Sequence, residues 1–166
     1  MVVLGLMGAG KSTLASALAD RLARPWRDSD ADIEIVTGRT GRLIAADPTM
    51  GLATLHALEE AVLVGALASE APSVISGAAW VVESPLCREA MRRRAVVIWL
   101  HAPLALLRER VATGEHRRTY AAGELEALVA RRTPMFESVA DVTLDASLPA
   151  DVLIQRAIDA ILSPTP

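Results

Sequence analysis

Aromatic side chains are scarce in this chain of 166 residues: three Trp, one Tyr and one Phe amount to 3% of it. Its core must therefore be built from Ala, Val, Leu and Ile. Cysteine occurs once, at Cys87, which excludes an internal disulfide, and no Cys/His spacing suits a structural zinc site. The thiol is expected to pack. Lysine also occurs once, Lys11 standing alone among 17 basic residues while the others are arginine. Long uncharged runs are missing too. The longest stretch without Asp, Glu, Lys or Arg covers residues 95–107, short of the roughly 18–20 residues a spanning helix needs, so no membrane partner is expected. The opening Met1-Val2-Val3-Leu4-Gly5-Leu6 has no basic region before its apolar run and leads into a glycine loop rather than a cleavage site. A cytoplasmic protein is the expectation. Neither sign of charge dominates: the net charge is −3 and the sequence pI about 5.6, which gives no reason for a nucleic-acid partner.

What is present is enough apolar content to fold. Hydrophobic types make up 52% and charged types 22%, outside the regime of intrinsic disorder, and a chain of this length buries about 70% of its unfolded surface as one domain. No repeat, low-complexity linker or compositional shift divides it, so residues 1–166 are expected to form a single domain. Residues 2–6 are a short apolar, β-branched run ending in glycine, followed by Leu14, Leu18 and Leu22 at helical spacing. Residues 72–76, 95–100 and 139–144 read as further strands. Between and after them Leu55, Leu58 and Val62, then Leu125, Leu128, Val129 and Arg132, then Ile154, Ala157, Ile158 and Ile161 trace helical stripes. Strands alternating with helices predict a parallel three-layer α/β sheet, whose ligand site lies at the carboxyl ends of the strands.

Gly5-Leu6-Met7-Gly8-Ala9-Gly10-Lys11-Ser12 fits the pattern G-x-x-x-x-G-K-[ST] and sits between a strand and a helix, where a phosphate loop must be. Glycines let successive backbone N–H groups turn inward toward phosphate oxygens, and the helix N-terminus adds partial positive charge. Gly8, Ala9, Gly10, Lys11, Ser12 and Thr13 are thus the expected nucleotide contacts. Lys11 reaches the β- and γ-phosphates of ATP, and the Ser12 hydroxyl ligates Mg²⁺. Further on, Asp28-Ser29-Asp30 precedes a helical pattern. Acids at a helix start are common for electrostatic reasons alone. In this fold, however, a second strand ends beside the first and brings Asp28 and Asp30 near the γ-phosphate. One would hold the hydrated metal and the other accept a proton from an attacking hydroxyl.

With these elements in this order, the chain resembles the shikimate kinase family of P-loop kinases, which share a nucleoside-monophosphate-kinase-like fold. The resemblance covers nearly the whole chain: the phosphate loop, Asp28-Ser29-Asp30, Ile33-Glu34 with Thr37-Gly38-Arg39, Leu55-His56-Ala57-Leu58-Glu59, Ser76-Gly77-Ala78-Ala79, Arg110, Arg117, and Arg132-Thr133-Pro134-Met135-Phe136 with Val139-Ala140-Asp141. It implies a five-stranded parallel sheet flanked by helices, a mobile lid at about 112–122, and phosphorylation of a ring hydroxyl with ATP and Mg²⁺ as cofactors. By position, it makes Asp30 the holder of the acceptor hydroxyl and Asp28 the metal aspartate. Arg117 becomes the lid arginine on the transferring phosphoryl group, completing a catalytic set with Lys11 and Asp30. Arg110 becomes the arginine packed on adenine, although Arg108 and Glu109 beside it leave a surface ion pair open. Arg132 becomes a ligand of the acceptor carboxylate; it shares a helical face with Leu125, Leu128 and Val129, and an arginine on a buried face needs an anionic partner.

Three departures fall on the acceptor side. The family's Phe-Arg on the substrate helix is Leu55-His56 here, its Gly-Gly-Gly is Gly77-Ala78-Ala79 followed by Trp80, and its Arg-Pro-Leu-Leu in the lid is Arg117-Arg118-Thr119-Tyr120. Acceptor contacts are expected at Asp30, His56, Gly77, Ala78 and Arg132. Imidazole replaces guanidinium at one of them, the alanine methyls crowd the loop, and any positive-φ position there would be strained. Shikimate is then expected to be a poor acceptor or not the natural one. Trp80 is either a flat wall of the pocket or a core residue, and His56 either a pocket-edge or a solvated helix residue. His101 reads as a strand-end residue and His116 as a solvated lid residue. No nucleophilic triad can be assembled. The reading is an ATP-dependent kinase for a hydroxyl of a small polar metabolite, shikimate or a related compound, working as a monomer or weak homo-oligomer. A kinase for another sugar acid, cyclitol or polyol is the nearer rival, and a nucleotide-binding protein without kinase activity the more distant one.

Overall fold

The computed structural model describes residues 1–113 and 120–162. Strands β1 (Val2–Leu4), β2 (Trp26–Asp28), β3 (Val74–Ser76), β4 (Val97–His101) and β5 (Val142–Asp145) form one sheet in the order β2-β3-β1-β4-β5. Every pairing is parallel. The helices are α1 (Lys11–Leu22), α2 (Ser29–Thr37), α3 (Gly41–Ala46), α4 (Gly51–Ala68), α5 (Pro85–Arg94), α6 (Leu104–Thr113), α7 (Glu124–Glu137) and α8 (Ala150–Leu162). β1 and β3 are buried along their whole length, and β4 up to its last residue. Continuous apolar strands are what a sheet covered on both faces requires.

One expectation about the sheet is corrected: β2 does not lie beside β1, because β3 runs between them. The consequence drawn for Asp28 survives through the register. Asp28 pairs with Ser76, and Ser76 with Val3, so the carboxyl ends of β2, β3 and β1 come together. Local chemistry fixes the elements that follow. The Asp28 side chain accepts from the N–H groups of Asp30 and Ala31 and so caps α2. Ser84 caps α5 by accepting from the Cys87 N–H at 3.1 Å, with Pro85 in the first turn where its missing donor does no harm.

The core is aliphatic, as the shortage of aromatics demands. Leu14 and Leu18 of α1, Leu63 of α4, Leu107 of α6 and Ala157 of α8 are buried with the strands, together with the single Phe, Phe136, stacked at 5.7 Å on Trp99. Cys87 is buried and unbridged, and burial pushes its thiol up to about 11. α4 is long and apolar, 18 residues with mean hydropathy 1.4. It carries Glu59 and Glu60 at its middle and is packed by α2, α3 and α5.

Candidate functional site

The phosphate loop, residues 5–10, leaves β1 and enters α1. Gly5 is there because of space: a Cβ on it would lie 2.6 Å from the Leu100 carbonyl oxygen of β4. Gly10 is there because of conformation, with φ +100° immediately before the helix. Lys11 folds over the loop and donates to the Leu6 carbonyl at 3.2 Å. The Ser12 hydroxyl donates to Asp28 Oδ2 at 2.7 Å and lies 3.2 Å from the Ser76 hydroxyl. A serine from the phosphate loop, an aspartate from β2 and a serine from β3 thus meet over three strand ends.

Arg110 is held where the resemblance put a nucleotide contact, with its hydrogen bonds directed at backbone. Its Nη1 donates to the Gly8 and Ala9 carbonyls at 3.1 and 3.0 Å, and Nη2 to the Ala146 carbonyl at 3.4 Å. Among the described residues no ion pair joins it to Glu109, so the surface-pair reading has no support there. Arg110 also lines a cavity of about 430 Å³ with Gly8, Gly10, Thr13, Leu148, Leu153 and Ile154. Sequence reading gave the last three no site role, Ile154 being read only as part of a helical stripe. Their only signal is the Ala146-Ser147-Leu148-Pro149 turn following a strand at the sheet's carboxyl edge.

The second half of the site lies around α4. Asp30, one residue past the start of α2, is exposed. Its carboxyl is raised above the ordinary aspartate value, first by desolvation and then by the neighbouring Asp28 charge, with Lys11 opposing. Glu59, 8% exposed, has a buried Oε2 with no hydrogen-bond partner. Burial, followed by the charge of Asp30, raises it to about 7 against the pull of Arg132 and Lys11. Sequence reasoning included Glu59 in a motif without giving it a role; an acid in an apolar helix one turn past His56 was the available clue. His56 stacks flat on Trp80, with centroids 4.2 Å apart and planes 5° from parallel. Both rings are half-buried. Burial, and next the Arg132 charge, lower the imidazole's proton affinity, so it is largely neutral at pH 7.

Arg132 is buried in α7, on the same face as Leu125 and Phe136. The anionic partner it needs is Glu83, whose Oε1 accepts from Arg132 Nε at 2.7 Å and from Arg131 Nη2 at 2.8 Å. Glu83 was missed from sequence. Gly77 extends the sheet, donating to the Val3 carbonyl at 3.1 Å, and a Cβ there would lie 2.8 Å from Leu4 Cδ2. Ala78 and Ala79 are half-buried without backbone strain, Ala23 being the only non-glycine residue with positive φ among those described. The expected strain in this loop is therefore absent, because its turn is built from negative-φ residues. His101 ends β4, exposed and edge-on to Trp99. Arg117, Arg118 and His116, with most of the expected lid, lie outside the described residues.

Comparison with known proteins agrees with this geometry. The family profile described as shikimate kinase matches residues 7–162. The chain is 36% identical over 151 residues to the shikimate kinase of Symbiobacterium thermophilum, covering 87% of this chain and 84% of that one. It is 33% identical over 148 residues to that of Mesorhizobium japonicum, covering 87% and 71%. Among solved structures, shikimate kinase from Acinetobacter baumannii in complex with shikimate superposes with a TM-score of 0.90 at 28% identity, over 99% of this chain and 93% of that one. A gluconokinase from Sinorhizobium meliloti, at 19% identity and a TM-score of 0.59, shares the fold alone. The sequence match, the sheet order and the meeting of a phosphate-loop serine with a strand-end aspartate have one common explanation: the chain belongs to the shikimate kinase family, small-molecule kinases that phosphorylate a hydroxyl.

Proposed function

We propose that this chain transfers the γ-phosphoryl group of ATP to a ring hydroxyl of shikimate or of a closely related cyclic hydroxy acid. The observation that carries the reading is the 2.7 Å hydrogen bond between Ser12 and Asp28, with Asp30 two residues on and the Arg110 cavity on the far side of the loop. It supplies a nucleotide side and an acceptor side joined at one point. Leu148, Leu153 and Ile154 offer an apolar wall to a base, and the loop amides and Lys11 face its phosphates. Ser12 and Asp28 are hard oxygen donors, as Mg²⁺ prefers, and magnesium sites built on phosphates need few protein ligands. When bound there, the ion neutralises phosphate charge; Ser12 and Asp28 would hold it.

Asp30 orients the acceptor hydroxyl and takes its proton as the oxygen attacks phosphorus. Arg117, by the family resemblance, stabilises the charge of the transferring group. Arg132 takes the acceptor's carboxylate, and the His56–Trp80 pair, with Gly77 and Ala78, bounds the pocket opposite. One domain with a lid at about 112–122 suffices for all of this.

The test is ADP release with MgATP across shikimate, other cyclic hydroxy acids, sugar acids and uncharged polyols. Acceptor-dependent turnover is expected with shikimate or another cyclic acid. Release that no acceptor stimulates would overturn the kinase reading in favour of a nucleotide-binding protein.

A further inference from the structure

His56 cannot present a paired cationic fork: it is an imidazole, largely neutral, and its face is taken by Trp80. Among the acceptor-side residues that the structure describes, carboxylate recognition therefore rests on Arg132, and how that guanidinium is held becomes decisive. Resting on the function proposed above, we infer that Glu83 is a positioning residue for the acceptor. It fixes Arg132 through Nε so that the two terminal nitrogens form a fork for the acceptor's carboxylate.

The contacts of Arg132 favour aiming over neutralisation. Among the described residues its hydrogen bond to Glu83 uses Nε only. Nη1 and Nη2 are neither bonded nor buried without a partner, which leaves the end-on, two-nitrogen edge open to a ligand. Glu83 accepts from two arginines on one oxygen, so the group Arg131–Glu83–Arg132 keeps a net positive charge. An anionic acceptor still meets a cation. Arg132 meets Glu83 on the turn whose Trp80 stacks on His56, and its charge is felt at both His56 and Glu59 of α4.

Glu83 is itself held firmly enough to aim something. Its N–H donates to the Trp80 carbonyl at 2.8 Å, within a turn closed by Val81 to Ala78 and Ser84 to Val81. Ser84 donates to Glu60 Oε2 at 2.5 Å, tying the turn to α4, and Arg88 of α5 donates to the Val82 carbonyl at 2.6 Å. The ring that stacks on His56 and the carboxylate that holds Arg132 thus belong to a single braced turn.

Steady-state kinetics with shikimate and ATP varied in turn, on the parent and on Glu83→Ala, Glu83→Asp, Arg132→Ala and the Glu83→Ala/Arg132→Ala double variant, tests the inference. Glu83→Ala should raise the acceptor KM about tenfold, with kcat and the KM for ATP changed by no more than about twofold. Glu83→Asp should recover part of the loss, and the double variant should be no weaker than Arg132→Ala alone. MgADP affinity like the parent's identifies a folded variant. An unchanged or lowered acceptor KM in folded Glu83→Ala overturns the positioning role while the kinase reading stands. A parent that phosphorylates only uncharged polyols overturns the carboxylate fork. A parent with no acceptor-dependent turnover overturns the kinase reading and this inference together.

Discussion

Replacing guanidinium by imidazole at position 56 removes a charge-assisted bidentate contact, worth about 1.5–3 kcal/mol or one to two powers of ten in affinity. Restoring it by His56→Arg should lower the KM for shikimate by about that factor. The gain should come with a change at Glu59, one turn along α4, whose unpartnered Oε2 would acquire a cation. A His56→Arg variant with the parent's KM would show that the acceptor's anionic group lies elsewhere. Glu59 makes a second prediction, about stability. Its folded-state value of about 7 stands above the ordinary 4.5, so the folded protein binds the proton more tightly than the unfolded chain. Stability from this group is complete below about pH 4.5 and is lost as pH rises through 7, on the order of 3 kcal/mol in all. Glu59→Gln, neutral throughout, should flatten the fall in melting temperature between pH 5 and 8 and raise the pH 8 midpoint by a few degrees, about 2–8 °C. Parallel curves for the two proteins would show that Glu59 is compensated in a way its burial does not reveal.

At the scale of elements, apolar runs made four of the five strands legible, β5 included although only Leu144 of it is buried. β1, β3 and β4 could be found because each is a continuous apolar run, though the bounds differ: residues 2–6 become Val2–Leu4 because Gly5 turns away at φ +152°, residues 72–76 become Val74–Ser76, and residues 95–100 become Val97–His101. β2 is Trp26-Arg27-Asp28, an edge strand with an exposed tryptophan, and offers no pattern to read. α3 is six residues long and α5 ends in Arg92, Arg93 and Arg94, so neither carries a long stripe. The phosphate loop was legible because its chemistry is contiguous. Arg132 was named from the sequence but its partner Glu83 was not, the two lying 49 residues apart; nothing local announces such a pair. The junction of β1 with its loop yields a test. Gly5→Ala would drive a methyl into the β4 backbone, and overpacking of this kind costs about 1–3 kcal/mol. Thermal unfolding should move down and MgADP binding weaken with it. Lys11→Ala, by contrast, should abolish phosphotransfer and leave the melting temperature within about 2 °C of the parent; retained turnover would remove Lys11 from the reaction.

Across the whole molecule, distant segments are joined at the phosphate loop by one side chain. Arg110 of α6 grips carbonyls on both the first loop and the turn after β5, at Gly8, Ala9 and Ala146. A peptide plane has two ends, and pulling the Ala9 oxygen toward Arg110 turns the Gly10 N–H the other way, whereas the Ala9 N–H is taken by the Leu6 carbonyl at 3.1 Å. Arg110 is therefore expected to shape the anion site through the Ala9–Gly10 peptide. Its loss should be felt by a ligand that has no base at all: inorganic tripolyphosphate should bind Arg110→Ala more weakly than the parent, by a factor comparable to that for ATP. Were the guanidinium only a shelf for adenine, tripolyphosphate would bind both proteins alike. On this view, the arginine keeps the loop in its anion-ready shape while the site is empty, so that little reorganisation remains to be done when nucleotide arrives.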